Sequence, residues 1–482
     1  MMFNSVSFLI FFIVVTTLYF LVAHRYRWFL LLVSSVIFYV SFIPVYILVL
    51  GLVIAIDYFA AILIEKRKGN KRKFFLMLSI LSTSIVLLIF KYYNFFNANL
   101  SVLAKFLHWN YSISALSLVL PIGLSFHTFQ SLSYVIEVYW SKQKAEKNFG
   151  IYALYVMFYP QLVAGPIERP QNLLHQFYEK HKFDFKRVAD GLKLMLWGYF
   201  MKLVVADRLA IFVNIIYSHP RNYVGFPLVV ATVLFSFQIY CDFAGYSTIA
   251  LGIAKVMGFK LTNNFESPYF AKSISGFWQR WHISLSTWFR DYLYTPLIGT
   301  TISMRRLYLS ILIVFLVSGL WHGANWTFVI WGALHGLFMV VSIMTEGIRN
   351  KISEKTGLSK FQNLHNAIKI ITTFSLVSFT YIFFRANSLS DAFYIITNLT
   401  TNIGNGLNGV FLGSDINMEN MIIALTAVIV LLAVNILQER ESIIDFISNK
   451  SSIFRWSSYV ALIMVILIFG AFNNIQFIYF QF

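Results

Sequence analysis

Charge is scarce in this sequence. Asp, Glu, Lys and Arg make up 12% of its 482 residues, where soluble domains carry about 25%. No polar stretch is long enough to fold alone as a typical domain of about 100 residues. A soluble catalytic or binding domain is therefore excluded, and residues 1–482 read as a single membrane domain. Cysteine is almost absent: Cys241 stands alone, which excludes an internal disulfide and any multi-cysteine metal site. Phosphate-cradling glycine loops and metal-ligand clusters are missing as well, so no bound cofactor or metal is expected. The first apolar run follows Met1-Met2-Phe3-Asn4 with no basic region and no small-residue cleavage site. It reads as a retained first helix rather than a cleaved signal peptide.

What is present is apolar. Hydrophobic residues reach 58%, with 50 Phe, and the mean hydropathy is +0.70. The net charge of +18 does not point to nucleic acid, because the basic residues lie in short loops between apolar runs and form no single patch. Candidate spans of the roughly 20 residues needed to cross a bilayer fall at 6–23, 28–44, 45–63, 74–92, 113–139, 149–164, 190–217, 226–257, 307–320, 326–345, 366–384, 419–437 and 456–473. Some are short or broken, so about 10–12 true transmembrane helices are expected, with re-entrant or interfacial helices beside them. The fold class is all-α and polytopic. It divides into N-terminal helices (1–148), a core (149–390) and C-terminal helices with an aromatic tail (391–482).

Every second loop is basic: His24, Arg25 and Arg27, then Lys66 to Lys73, then Lys142, Lys144 and Lys147. Positive loops face the cytoplasm, which puts the N-terminus outside. The pattern breaks between Phe259 and Arg306. A stretch rich in Trp, Tyr, Ser and Arg cannot face lipid with its polar groups unpaired, so it is buried in protein, lines a cavity or lies at an interface.

Two places could carry chemistry. If 273–294 is one helix, Phe277, Trp281, Leu285, Trp288 and Tyr292 form an apolar stripe, and His282, Ser286 and Arg290 share another face. The bland alternative for His282 is a packing histidine. The second place is Ser318-Gly319-Leu320-Trp321-His322-Gly323-Ala324-Asn325-Trp326, where one apolar helix ends and another begins. Glycines there permit close approach of a ligand or a second helix. An ionisable group at membrane depth is a functional candidate, and a neutral imidazole can serve as a general base. His335, inside the next helix, reads as structural. Asp57, Asp242 and Arg385 lie in or beside apolar runs, where pairing inside the bundle accounts for them. Snorkelling or local pairing accounts for Lys202 and Asp207. Glu168 and Arg169 read as a structural pair in a turn, and His127 is undecided.

These motifs carry a resemblance. Arg280 to Tyr294 (RWHISLSTWFRDYLY) followed by Ser318 to Gly323 (SGLWHG) is similar to the membrane-bound O-acyltransferase family, its alginate O-acetyltransferase branch above all. Gly165 to Arg169 (GPIER), Tyr240 to Ser247 (YCDFAGYS), Asn264 to Tyr269 (NFESPY) and Phe383 to Ala386 (FFRA) add to it, from about residue 120 to the end. Ile298 to Met304 departs from the branch, which usually has paired glycines and a basic loop there. The resemblance implies active-site histidines at His282 and His322 and a central tunnel. Cytoplasmic acetyl-CoA would be the donor substrate, and an extracellular or periplasmic SGNH-hydrolase-like transferase a partner. Decoration of a surface polysaccharide, such as alginate or peptidoglycan, from a bacterial cytoplasmic membrane would follow. Asp242, Ser286, Arg290, Trp321 and Asn325 become candidate tunnel or substrate residues. The ending Phe477 to Phe482 resembles the aromatic tails of the branch, making Tyr479 a possible acyl carrier; the alternative is an interfacial aromatic anchor. The rival class is a transporter or flippase of a lipid-linked sugar or acyl carrier. The absence of an internal repeat argues against that class, because transporters are often built from two.

Overall fold

An apolar run in a bilayer can satisfy its backbone only internally, as helix, and the computed structural model follows that rule. It describes residues 1–118, 121, 123–163, 165–300, 303–402, 418–472 and 477–478. The principal helices are α1 Val6–Leu21, α2 His24–Val40, α3 Tyr46–Lys66, α4 Gly69–Phe106, α5 Leu124–Tyr139, α6 Phe149–Met157, α7 Phe185–Tyr199 and α8 Asp207–Ser218. They continue with α9 Phe226–Met257, α10 Ile274–Arg280, α11 Ile283–Phe289, α12 Met304–His322, α13 Trp326–Met344, α14 Gln362–Arg385, α15 Met418–Gln438 and α16 Ser452–Phe469. Among the described residues there is no strand, only an isolated bridge between Phe265 and Trp281. The protein is an all-α polytopic membrane protein.

Eight helices of the described residues are long and apolar enough to cross a membrane, fewer than the runs of hydropathy alone. The shortfall has a physical cause. Among the described residues, the run at 113–139 is helical only as α5, and the run at 149–164 only as the nine residues of α6. Both are almost wholly buried among other helices, so protein rather than lipid surrounds their apolar side chains. The run at 190–217 is interrupted by a π-turn, Phe200–Ala206. By contrast α16 exposes Ile453, Trp456, Val460, Met464, Leu467 and Ile468, as a lipid-facing helix does.

The chain forms two compact units, 1–195 with 249–262 and 196–248 with 263–482. In the first, α3, α4 and α5 pack around Asp57. Its carboxylate accepts from Ser79 Oγ at 2.6 Å, from Thr83 Oγ1 at 3.3 Å and from Ser131 Oγ, itself 2.8 Å from the Tyr152 hydroxyl. Glu168 accepts from the backbone N–H and the hydroxyl of Thr262 and from Asn172; it pins the GPIER turn through these neutral groups. The three basic loops meet on one face of this unit. Arg72 donates to Val138 O at 2.9 Å and to Ser141 Oγ at 2.7 Å. Glu65 accepts from Ala145 N at 3.0 Å. Tyr178, whose carbonyl lies 3.2 Å from His24 Nε2, donates its hydroxyl to Glu146.

In the second unit α12 and α13 form a tight hairpin. A Cβ on Gly319 would lie 2.3 Å from Phe328 O, and one on Gly332 2.3 Å from Phe315 O. The glycines of the SGLWHG motif thus admit a second helix.

Candidate active site

His322 closes α12, and Asn325 caps α13 by accepting from Thr327 N at 3.0 Å. The two helix ends make the break that sequence placed here. His322 Nδ1 lies 2.7 Å from Ser318 O one turn earlier. A carbonyl can only accept, so Nδ1 carries a proton, and in the neutral form of the ring Nε2 is the basic nitrogen. The ring is fixed edge-on by Trp321 at 4.9 Å, Trp331 at 4.7 Å and Phe384 at 5.6 Å. Phe384 belongs to the FFRA motif. A buried imidazole oriented in this way can act as a general base.

His282 arrives by a different route. One continuous helix over 273–294 is not what forms: α10 ends at Arg280 and α11 begins at Ile283. His282 sits in the break at φ 45°, a left-handed conformation that is costly without glycine. The extended segment of the NFESPY motif holds it there. Glu266 N donates to Arg280 O at 2.9 Å, Ile283 N to Asn264 O at 3.0 Å, and Ser284 N to Asn264 Oδ1 at 3.3 Å. Strain of this kind persists only where surroundings over-determine it, and it gathers at functional sites. The His282 ring packs against Phe243 at 4.6 Å, Phe265 at 6.4 Å and Trp321 at 6.3 Å. Trp321 therefore lies against both histidines. Burial, with His322 nearby, pushes the His282 imidazole well below its ordinary pKa, so it is neutral.

The break also separates residues that a single helix would have aligned. Ser286 and Arg290 line a cavity of about 560 Å³ between α10–α11 and the α12–α13 hairpin. Ser286 donates to Trp281 O at 3.2 Å, and Arg290 pairs with Asp291 at 2.9 Å at the exposed side. Ser318, whose carbonyl holds His322, is part of the same wall. The volume lies in the range of small-molecule sites, about 300–1,000 Å³.

Asp242 is buried in an ion cluster. Lys202 Nζ is 2.7 Å from both Asp242 Oδ1 and Asp207 Oδ1, and the Lys202 side chain has no exposure. Local pairing with Asp207 thus holds, whereas snorkelling does not: Lys202 never reaches an interface. Arg385 donates to Asn214 Oδ1 at 2.8 Å and lies 5.5 Å from the Tyr217 ring. In His335, Nδ1 accepts from Trp278 Nε1 at 3.3 Å, and Nε2 faces Thr380 Oγ1 at 2.9 Å. Tyr479 lies outside the described residues. Sequence reading passed over Phe243, Trp331 and Phe384, although two of the three stand in the quoted motifs.

Residues 148–386 match the sequence profile of the membrane-bound O-acyltransferase family. The chain is 35% identical over 397 residues to the probable alginate O-acetylase of Pseudomonas aeruginosa, covering 81% of this chain and 73% of that one. It is 32% identical over 409 residues to the peptidoglycan O-acetyltransferase of Helicobacter pylori, covering 79% and 74%. With the teichoic acid D-alanyltransferase of Bacillus subtilis it shares 25% over 283 residues, covering 56% and 69%.

Proposed function

The chain belongs to the membrane-bound O-acyltransferase family, and from that membership we propose that it passes acetyl from cytoplasmic acetyl-CoA across the membrane for O-acetylation of a cell-surface polysaccharide. The observation that carries this reading is His322: a buried imidazole oriented by the carbonyl of Ser318, a residue that also lines the 560 Å³ cavity. His322 Nε2 takes the proton of the acceptor hydroxyl as that oxygen attacks the thioester carbonyl. The tetrahedral intermediate collapses with release of the coenzyme thiolate, which picks up the proton. His282, across Trp321, orients or polarises the thioester. The 560 Å³ cavity receives the acyl arm, with Arg290 at its exposed side.

The shared face of the basic loops is the cytoplasmic one in this reading, and its charge favours the coenzyme phosphates. The N-terminus is then outside, in a bacterial cytoplasmic membrane. Only the acyl group crosses. Acetyl is preferred to D-alanyl because the acetyl-transferring relatives match more of the chain at higher identity. Tyr479 is the proposed first acceptor, whose phenyl ester is activated for a second transfer to an extracellular SGNH-hydrolase-like partner.

The deciding experiment incubates purified protein with radiolabelled acetyl-CoA, comparing wild type with His322→Ala and Tyr479→Phe. Label on Tyr479 that is lost in both variants supports the whole reading. Coenzyme release without labelled Tyr479 discards the tyrosine carrier alone. No release with acceptor and partner supplied overturns the proposal.

A further inference from the structure

We propose that the Lys202–Asp207–Asp242 cluster is a docking site for the Phe477–Ile478 stretch of the same chain, and that Asp242 is the positioning residue that seats Phe477 behind His282. The argument begins with the cluster's stoichiometry. One lysine serves two carboxylates, and all three side chains are buried. Lys202 engages Asp242 through Oδ1, which leaves Oδ2 to seek another donor inside the protein, where an unsatisfied charge is costly. That donor is the backbone N–H of Ile478, at 2.8 Å.

The rest of the groove fits a peptide segment. A π-turn misaligns a helix's own hydrogen bonds, and the turn that carries Lys202 offers Leu203 O to Ala471 N at 2.9 Å. Arg208, just beyond, donates to Phe469 O. Phe469 and Ala471, at the end of α16, are thus held through their backbone, and Ile478 is held by Asp242. Phe477 and Ile478 are buried. The Phe477 ring lies 4.7 Å from Tyr246 and 5.8 Å from Phe243, and Phe243 meets His282 at 4.6 Å. The docked tail therefore buttresses the wall on which the strained His282 rests. A mere packing aspartate in α9 would need Lys202 but not the tail.

The test uses the full-length chain in detergent. In a Cys241→Ser background, Ile478→Cys reports docking through its rate of reaction with a maleimide. Loss of a hydrogen bond to a charged group should raise that rate roughly tenfold or more in Asp242→Ala and in Lys202→Met. Equal rates with and without these substitutions overturn the docking. Because Asp242→Ala also strips Lys202 of a partner, Ile478→Pro provides a second route: it removes the donating N–H while Asp242 and Lys202 keep their pairing. Carboxypeptidase should then release C-terminal residues roughly tenfold faster at unchanged melting temperature, and unchanged release overturns the docking. The positioning role rests on the acyltransferase reading: Ile478→Pro should lower kcat for acetyl transfer while the donor KM is retained. Faster tail release with wild-type kcat overturns that role. If wild type transfers no acyl group but the maleimide result holds, the function assigned above fails and the docking stands.

Discussion

The break that joins α12 to α13 and the interior of α13 each hold a buried histidine, and both rings pack on the same indole: Trp331 lies 4.7 Å from His322 and 4.9 Å from His335. Burial and aromatic company do not distinguish the two regions. Hydrogen bonding does. In His322 the tied nitrogen is the protonated one, held by a carbonyl of its own helix. In His335 the tied pair includes the basic nitrogen, occupied by the Trp278 N–H, while Nε2 meets Thr380 of α14. One histidine is oriented by a carbonyl of its own helix; the other links three helices.

That contrast yields a first pair of predictions. His322→Gln should lower acetyl transfer by about 10²–10⁴-fold, the usual contribution of a general base, with a melting temperature close to wild type. Turnover of acetyl-CoA by the purified protein measures it, and a similar loss of turnover in His335→Gln at unchanged stability would break the comparison. His335→Leu should do the opposite. It strands the Trp278 N–H, at about 1–3 kcal/mol, and removes the link to Thr380, whose hydroxyl keeps its bond to Val377 O at 2.7 Å, so thermal unfolding in detergent should come earlier while turnover per folded molecule stays within about threefold. Gly332→Ala sharpens the boundary between the regions. Its Cβ would lie 2.3 Å from Phe315 O, and overpacking of this kind costs about 1–3 kcal/mol. Because the hairpin also carries His322, this variant should lose both stability and turnover, which neither histidine variant does.

Sequence made much of this legible, and its failures share a cause. Spans such as α3, α9, α12, α13 and α14 follow from apolar runs, and the two histidine motifs stand where both rings are found. Periodicity misread 273–294 because the bonds that break the helix at Trp281 come from Asn264 and Glu266, and a helical repeat says nothing about a distant segment. Lys202 looked like a snorkelling residue for the same reason. Asp207 is near in sequence, but Asp242, which makes full burial tolerable, lies on another helix. The runs that became α5 and α6 are as apolar as spans; hydropathy cannot tell a lipid neighbour from a protein one. Phe384 was within reach, since an aromatic pair beside an arginine in a quoted motif invites the question of what the rings cover.

The smallest expected effect extends the comparison to His282, the third buried histidine of this unit. Burial holds its pKa well below the ordinary value near 6.5, so the folded state binds its proton less readily than the unfolded chain does. Stability then rises with pH wherever the unfolded chain is the more protonated. The contribution of His282 is complete above about pH 6.5 and is lost as pH falls below it, with a slope of at most about 1.4 kcal/mol per pH unit for one group. His282→Gln, which has no proton to take up in this range, should unfold with a shallower pH dependence between pH 6.5 and 5 than wild type. Melting curves across that interval measure the difference. Parallel slopes would mean that His282 is protonated in the fold, and a cation would then face Phe243 and Trp321 where the mechanism needs a neutral ring.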